Sequence, residues 1–505
     1  MRHLILCAAI LLAYNADAQT KKDASLEDVA RRAAVRSLPE FRDLLRLPND
    51  AHDTADIERN IRWCEKAFLR RGFTVGRLTG RGIPLLLAER FLHKDLATVL
   101  IYLQIDGQPV DPSKWRQSSP WEPTLKMKGT DGQWSPIPWD RLQEGPIDPD
   151  WRIFARSTSD AKGPAAAFLA ALDALSERKE KAAFNMKVVM DFEEELGSPN
   201  LPSAVAAHGE RLKADRLIIF DGPRHVSNRP TLTFGARGIC EITLTTFGPR
   251  QPAHSGNYGN YAPNPVFGMA HLLASMKGRD GRVTMDGFYI GVTLTENDKR
   301  ILAQVPDREE EIKAFLGIAE RENVGGNFQE AMQYPTLNVR GMQALYVGEQ
   351  ARTLIPDKAV AEIDIRLVPS SNSDTMIRMF RRHVEGQGYL VIEREPTEAE
   401  RLKYPRIASM HSKCSYGAFQ TPFESETGRW LTRAMERAFG HEPIRIRMAG
   451  GSIPISPFVT TLGIPAVVVP TVNADNNQHA ENENIRLGNY IDAVRTFLAI
   501  LTEKT

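Results

Sequence analysis

One stretch, Met186 to Leu201, limits the possible folds of this chain more than any other. Val188 to Met190 predicts a buried strand, and Gly197 marks the turn that follows it. Four carboxylates lie between the strand and the turn: Asp191, Glu193, Glu194 and Glu195. Crowded like charges are unfavourable without a cation, and sites form at the carboxyl ends of strands in α/β sheets. A solvated acidic loop is the alternative, so the other motifs must decide.

Two further predicted strands also end in acidic residues. Ala97 to Ile105 is apolar and ends at Asp106, and Leu217 to Phe220 ends at Asp221. Between them, Asp160 lies in a tight turn before an Ala-rich helix, where a charge-balanced surface turn is the alternative. Acidic residues at successive strand ends predict a single site in an α/β fold.

The bulk composition favours a globular enzyme of more than one domain. With 505 residues, the chain is expected to form two domains or one large α/β domain with an insertion. The 64 basic and 63 acidic residues give a net charge of +1, and no basic patch suggests a nucleic-acid partner. Ser25 to Leu45 and Asp53 to Arg71 have helical periodicity and are expected to cover a sheet, whereas Asp106 to Trp151 predicts a long ordered loop.

The first 18 residues predict a secretory signal peptide. A short basic start precedes the apolar run Leu4 to Tyr14, and Ala16-Asp17-Ala18 fits a cleavage site that leaves Gln19 as the mature end. An uncleaved anchor is the alternative, but the run is short for a bilayer span. The expectation is an exported protein, periplasmic or secreted, with no membrane contact after cleavage.

The cysteines predict neither a disulfide framework nor a metal cluster. Of the four cysteines, Cys7 lies in the predicted signal peptide, which leaves Cys64, Cys240 and Cys414. Because these three are widely spaced, they are expected to be separate buried thiols.

A change of pattern predicts an inserted domain at residues 239–398. Glu241 to Phe247 alternates as a half-exposed strand does, unlike the buried strands before it. Residues 278–333 give no clear assignment. A helix at Thr427 to Phe439 and a strand at Ala466 to Val469 return to the first pattern. The predicted division is therefore a catalytic domain in two parts, residues 19–238 and 399–505, around the insertion.

The acidic and imidazole side chains form a set suited to one or two divalent ions, with zinc first and manganese or cobalt as alternatives. The set comprises Asp106, Asp160, Glu194, Glu195, Asp221 and His479. Its order and local motifs, STSDAKG, EEELGS and QHAENE, resemble the co-catalytic zinc exopeptidase family of aminoacylase, carnosinase and bacterial glutamate carboxypeptidase. The resemblance implies a mixed-sheet α/β catalytic domain with helices on both faces, interrupted by an α+β lid that forms a homodimer.

The resemblance also implies a role for each residue of the set. Asp160 matches the aspartate that bridges two metals, and Glu194 matches the general base. The remaining ligands would be Glu195, Asp221 and His479. Asp106 matches the aspartate that orients a histidine two residues earlier.

That histidine is replaced in this chain. Where the family has His-x-Asp, the sequence reads Gln104-Ile105-Asp106, and an amide oxygen is a weaker zinc ligand than an imidazole nitrogen. The resemblance therefore implies that Gln104 is a poor ligand of one of the two metals. His225, close after Asp221, is the alternative that could compensate for the missing histidine.

The inserted domain resembles the lid of the same family. His254, in AHSG, resembles the histidine that stabilises the oxyanion, and it is otherwise a structural histidine. Asn338 and Arg366 resemble groups that hold the substrate, with Arg366 anchoring its carboxylate. Gly451 and Ser452 would supply further contacts to that carboxylate, although a Gly pair alone predicts only a turn.

The resemblance therefore implies a metal-dependent hydrolase that cleaves an amide or peptide bond next to a free carboxylate. Carboxypeptidase, dipeptidase and N-acyl-amino-acid hydrolase activities all fit, with Glu194 moving the proton and His254 stabilising the oxyanion. The alternative is a degenerate relative that binds peptides without hydrolysis, which Gln104 favours and Glu194 opposes. A serine hydrolase is excluded because the chain has no G-x-S-x-G elbow.

Overall fold

The computed structural model describes residues 25–80, 82–451 and 454–505. Residue contacts divide them into two units. The first unit contains the described residues up to Phe234 together with Thr421–Arg445 and Pro457–Thr505, and the second contains those of Gly235–Gln420 and Ile446–Ser456. Residues 399–420 thus group with the second unit, while the predicted functional domain boundaries stay predictions. Within the described residues, no helix combines the length and the apolar character needed to cross a bilayer.

The helices match the predicted segments where the hydrophobic period is regular. In chain order they are α1 Leu26–Leu45, α2 Thr54–Arg70, α3 Lys162–Glu177, α4 Leu201–Leu212, α5 Ser255–Tyr258, α6 Pro265–Met276, α7 Glu296–Leu302, α8 Glu309–Leu316, α9 Phe328–Ala331, α10 Ser373–Gly386, α11 Glu398–Lys403, α12 Glu426–Phe439, α13 Ser456–Leu462 and α14 Leu487–Thr502. Short 3₁₀ turns occur at Pro112–Lys114, Trp139–Leu142, Glu194–Leu196 and Gly348–Gln350. The unassigned segment 278–333 contains α7, α8 and α9.

The strands form two larger sheets, one smaller sheet and two short pairs. They are β1 Thr74–Leu78, β2 Leu85–Arg90, β3 Thr98–Gln104, β4 Thr124–Lys128, β5 Trp134–Pro136, β6 Arg152–Phe154, β7 Asn185–Asp191, β8 Arg216–Ile219, β9 Thr231–Thr233, β10 Gly235–Ala236, β11 Gly238–Phe247, β12 Ala253–His254, β13 Thr336–Gln343, β14 Leu354–Ile355, β15 Lys358–Leu367, β16 Leu390–Ile392, β17 Ile407–Tyr416, β18 Phe419–Gln420, β19 Ile444–Ile446, β20 Ala466–Val468 and β21 Asn484–Arg486. The mixed α/β class predicted from the sequence is confirmed.

Parallel pairing brings the three predicted acidic strand ends to one edge of a sheet. The eight-stranded sheet has the order β1-β2-β7-β3-β8-β20-β9-β19. Strand β3 pairs in parallel with both β7 and β8, and Gln104 lies opposite Asp191. Since parallel strands end at the same edge, the segments after β3, β7 and β8 emerge side by side.

Capped helices pack together in the first unit. The Ser25 hydroxyl accepts a hydrogen bond from the Asp28 N–H at 3.1 Å, and Asp53 caps α2 in the same way, so both predicted helix starts are confirmed. Helices α1, α3 and α14 contact one another, with Phe41 stacked on Tyr490 at 4.9 Å. These buried rings join the aliphatic side chains of the sheet in one core.

The second unit has its own sheet and core, in which two cysteines form a disulfide. Its five strands run β13-β15-β11-β17-β16, and β11 shows the predicted alternation of buried and half-buried residues. Cys240 on β11 lies opposite Cys414 on β17 and is bonded to it. The expectation of three separate thiols is therefore wrong for this pair, because sheet register brings together residues that are 174 positions apart. Cys64 is a free, buried thiol as predicted.

The predicted loop from Asp106 to Trp151 contains regular structure, so that prediction is also wrong. Strands β4 and β5 form a hairpin around the turn Gly129–Gln133, in which Gly132 has a φ of +79°. The four-stranded sheet β21-β6-β4-β5 continues from it. The Gly, Pro and Trp residues obscured the short alternation of Thr124 to Lys128, whose partners are supplied by β6.

Candidate metal centre

The candidate site of the first unit gathers residues from separate strand ends and loops. Gln104 ends β3, Glu194 and Glu195 lie in the 3₁₀ turn after β7, and Asp221 follows β8. Asp160 precedes α3, and its peptide bond to Ala161 is cis. His479 belongs to the loop before β21. The sequence predicted each of these residues as part of one site, and their roles as ligands and base stay predictions.

Asp160, Glu195 and His479 converge most closely. The His479 Nε2 atom lies 3.0 Å from Asp160 Oδ2 and 3.3 Å from Glu195 Oε2. One potential ligand atom from each residue lies within 4.8 Å of the others. The hydrogen bond with Asp160 is the largest effect that raises the pKa of His479, to about 9. His479 also has a φ of +63°, an uncommon backbone conformation for a residue other than glycine that is often found at functional sites.

The surrounding carboxylates fit a bound cation. Burial first, and then the charges of Asp221 and Asp160, raise the pKa of Glu194 well above its usual range. Burial and Asp160 likewise raise the pKa of Glu195 and of Asp221 to about 7. A divalent ion among the carboxylate oxygens would offset the repulsion between these buried negative charges. The donor set of carboxylates and one imidazole suits zinc, and also manganese or cobalt.

Gln104 satisfies its two neighbouring carboxylates by donating hydrogen bonds. Its Nε2 lies 3.2 Å from Asp160 Oδ1 and 3.1 Å from Asp221 Oδ1. Its buried Oε1 has no hydrogen-bond partner among the described residues. In this orientation the amide acts as a donor, whereas a metal ligand at position 104 must present a lone pair. His225, the alternative ligand at this position, contacts the Ser227 hydroxyl through Nδ1 at 2.9 Å.

Asp106 supports the turn that carries Glu195. It is 1% exposed, and its Oδ2 accepts a hydrogen bond from the Glu195 N–H at 2.9 Å. Its Oδ1 is buried without a hydrogen-bond partner in the described parts of the chain. Burial, with Asp191 nearby, raises the pKa of Asp106 well above its usual range. One oxygen thus fixes the turn, and the other could receive an N–H from a side chain such as histidine.

Two further residues support the site and were missed in the sequence. Buried Glu483 accepts hydrogen bonds from the N–H groups of Ser157, Ser159 and Asp160, and it forms an ion pair with Arg156 at 2.9 Å. Gln108 donates to Glu195 Oε2 at 2.8 Å. The acidic position four residues after His479 in QHAENE was a signal for Glu483, whereas nothing near Gln108 distinguished it.

The other predicted site residues that the structure describes belong to the second unit. Exposed His254 caps α5, and its Nδ1 accepts a hydrogen bond from the Gly256 N–H at 3.1 Å. Asn338 donates to Asp364 Oδ2 at 2.9 Å, and the Nε of Arg366 lies 3.8 Å from Asp364 Oδ1. Gly451 lies in an exposed bend, while Ser452 is outside the described residues. Their roles in substrate binding and oxyanion stabilisation stay predictions.

The fold and the cluster of potential ligands define the class of a metal-dependent hydrolase that acts on peptide bonds. Residues 104–503 match the family described as Peptidase family M20/M25/M40. The chain belongs to this family, which confirms the predicted resemblance and the predicted class of enzyme.

Similar proteins include both dipeptidases and a carboxypeptidase. The chain is 26% identical to the Cys-Gly metallodipeptidase dug1 of Schizosaccharomyces pombe, over 86% of each chain. It is 24% identical to the human Beta-Ala-His dipeptidase, over 83% of this chain and 77% of that protein. The structure of the M20 metallo-carboxypeptidase Sso-CP2 from Sulfolobus solfataricus has a TM-score of 0.73 and 26% identity, covering 92% of this chain and 98% of that one.

These similarities correct two expectations. The prediction of an exported protein, periplasmic or secreted, is wrong, because the Dug1 dipeptidases it resembles are intracellular enzymes. The predicted signal peptide, residues 1–18, lies outside the described residues. The alternative of a binding protein without hydrolysis has no support, since these relatives are named peptidases.

Proposed function

We propose that this protein is a dipeptidase that cleaves the bond next to the free carboxylate of its substrate. The observation that carries the proposal is the convergence of Asp160, Glu195 and His479 within 4.8 Å beside the buried acid Glu194. Two relatives are named for Cys-Gly and Beta-Ala-His cleavage, and both dipeptides carry a carboxylate next to their only peptide bond. Carboxypeptidase and N-acyl-amino-acid hydrolase activities are the alternatives that the substrate panel described below can distinguish.

The metal is proposed to be zinc, held by Asp160, Glu195 and His479. A bound divalent ion supplies Lewis acidity, which polarises the carbonyl of the scissile bond and acidifies water. The second position, bordered by Gln104 and Asp221, is proposed to be the weaker one, because the Gln104 amide donates to both carboxylates. Manganese or cobalt would suit the same oxygen and imidazole donors.

Glu194 is proposed to be the group that moves the proton. It lies one residue before Glu195 and is buried among Asp221, Asp160, Glu195 and Asp106, which brings its carboxylate to the same cluster. It would accept a proton from the attacking water and deliver it to the leaving amine, a role typically worth about 10²- to 10⁴-fold in rate. Gln108 and Asp106 hold Glu195 by its side chain and its backbone, so the turn keeps its geometry.

Specificity for a carboxylate is tested with a matched substrate panel. We expect the zinc-loaded protein to cleave Cys-Gly or β-Ala-His, to lose most activity on the same dipeptide with an amidated C-terminus, and to lose all activity with a chelator. Equal rates on the free acid and the amide would contradict carboxylate recognition. Cleavage of N-acetyl amino acids in preference to dipeptides would identify an acyl hydrolase instead.

The second unit is proposed to act as the lid and as the surface of a homodimer. Support comes from the family resemblance of His254, Asn338 and Arg366 and from the independent sheet and core of this unit. Light scattering at micromolar concentration should give twice the mass of the 56.5 kDa chain. A fully active monomer would contradict the proposal.

A further inference from the structure

A cavity of about 350 Å³ lies beside the four-stranded sheet of the first unit, apart from the candidate metal residues. Its walls include Arg116, Lys126, Lys128, Trp134, Arg152 and Asn477. Four of its lining side chains are cationic, and Asp475 is the only carboxylate among them. A concave surface lined by one sign of charge concentrates ions of the opposite sign.

Most of this positive charge has no acidic partner within the cavity. Arg152 pairs with Asp475, with Nη2 at 2.5 Å from Oδ2. Among the described residues, no carboxylate forms an ion pair with Arg116, Lys126 or Lys128. The walls therefore carry an excess of three positive charges: four cations less one carboxylate.

Lys126 shows that the cavity is built around a buried cation. Lys126 is only 2% exposed. Its Nζ donates a hydrogen bond to the Arg116 carbonyl at 2.9 Å and lies 4.5 Å from the centre of the Phe154 ring. An ammonium group has three N–H donors, and this contact uses one. The buried Nε of Arg152 also has no hydrogen-bond partner in the described residues. Burying a cation without a counter-charge is unfavourable, and an anion in the cavity would remove that cost.

We propose that this cavity binds a small molecule that carries a phosphate- or sulfate-type oxyanion. Arg152 and the two lysines offer donors of the charge-assisted kind that such oxyanions accept. The volume lies in the range of small-molecule sites, where it leaves room for an organic group beside the oxyanion. Trp134 lines the cavity and places its ring 4.8 Å from the guanidinium carbon of Arg152, which helps to hold that cation at the wall.

Equilibrium dialysis of the metal-loaded protein against radiolabelled sulfate at about 0.15 M sodium chloride tests the proposal, at an ionic strength that screens weak surface attraction. The variants are Lys126→Met and Lys128→Met, and the matched control is Lys94→Met, which removes an exposed lysine that does not line the cavity. We expect saturable binding near one sulfate per chain in the wild type and the control, and about tenfold weaker binding in each cavity variant.

Absence of saturable sulfate binding in the wild type, or unchanged binding in both cavity variants, would overturn the proposal. Lys128 is exposed, so its variant reports on binding even where Lys126→Met lowers stability. Inorganic phosphate should displace sulfate at a lower concentration than succinate. The reverse order would overturn the assignment to a phosphate-type ligand in favour of a carboxylate. Because the readout is binding and not hydrolysis, it is independent of the proposed dipeptidase activity.

Discussion

Asp160 borders two arrangements that differ chiefly in one side chain. On one side, its Oδ2 meets the imidazole of His479, and Glu195 completes a cluster of three potential ligands. On the other side, its Oδ1 accepts a hydrogen bond from the amide of Gln104, which also donates to Asp221. The NH₂ group of an amide can donate to two carboxylates at once. An imidazole nitrogen with a free lone pair cannot donate to them, so a cation is needed to balance their charge. The comparison therefore predicts one strong and one weak metal position.

The largest expected effect comes from removing the proposed proton-transfer group, Glu194, beside the cluster that contains His479. Glu194→Gln should lower kcat by about 10²- to 10⁴-fold while the protein retains its metal, because the amide cannot accept a proton. Initial rates and elemental analysis of the dialysed variant measure both quantities. Glu193→Gln is the matched control, since its Oε1 accepts a hydrogen bond from the Asn200 N–H and an amide oxygen can do the same. A Glu194→Gln rate within about tenfold of the wild type would remove Glu194 from the proton transfer.

The next prediction compares the two sides directly. His479→Ala should weaken binding of the first ion by more than the 10- to 100-fold typical of an outer-shell change, because it removes a ligand. Asp221→Asn should alter that affinity by less than about tenfold, since Asp221 is not in the cluster of Asp160, Glu195 and His479. Zinc titration against a competing chelator gives both affinities. Equal losses in the two variants would mean that the two sides act as one site.

Restoring the imidazole should strengthen the weak side. In the wild type we expect one ion per chain after dialysis, and Gln104→His should raise the count towards two, with the second affinity higher by about 10- to 100-fold. The unpartnered Asp106 Oδ1 is available to orient the new ring. Gln104→Met is the control, because it removes the amide donors without adding a ligand and should leave the count near one. Two ions retained by the wild type would show that Gln104 already allows a complete second position.

The smallest expected effect concerns the support of Glu195. Gln108→Ala removes the 2.8 Å hydrogen bond to Glu195 Oε2 and should weaken the first ion by about tenfold, the lower end for such a change. In the double variant Gln104→His/Gln108→Ala, the affinity for the second ion should equal that of Gln104→His alone, so this variant separates the two metal positions. The same competition with a chelator measures both affinities. A loss of both ions would indicate that Gln108 holds the whole turn and not Glu195 alone.

Local sequence patterns predicted the helices that bury one face and the strands that are buried on both faces. The helices that begin after Ser25 and Asp53 followed from helical periodicity, and β3, β7 and β8 followed from apolar runs. These signals are local, because hydrophobic periodicity is set by residues a few positions apart. The acidic ends of these strands could be expected to meet because parallel strands share an edge.

Other features depended on partners far away in the chain. The hairpin β4-β5 needs β6 beside it, and Glu483 meets the Asp160 turn across more than 300 residues. The Cys240–Cys414 bond exists because β11 and β17 pair in one register, which no cysteine spacing encodes.

The sequence by itself determined the family, the strands along the chain that end in acidic residues, and the replacement of a histidine by Gln104. Only the tertiary structure decided that the Gln104 amide donates to Asp160 and Asp221, that Asp106 keeps one oxygen without a partner, and that four cations share one cavity. The physical reason is that the identity of a side chain fixes which donors and acceptors exist. Which of them meet is set by contacts between segments that are distant in the chain, and these form only when the sheets are assembled.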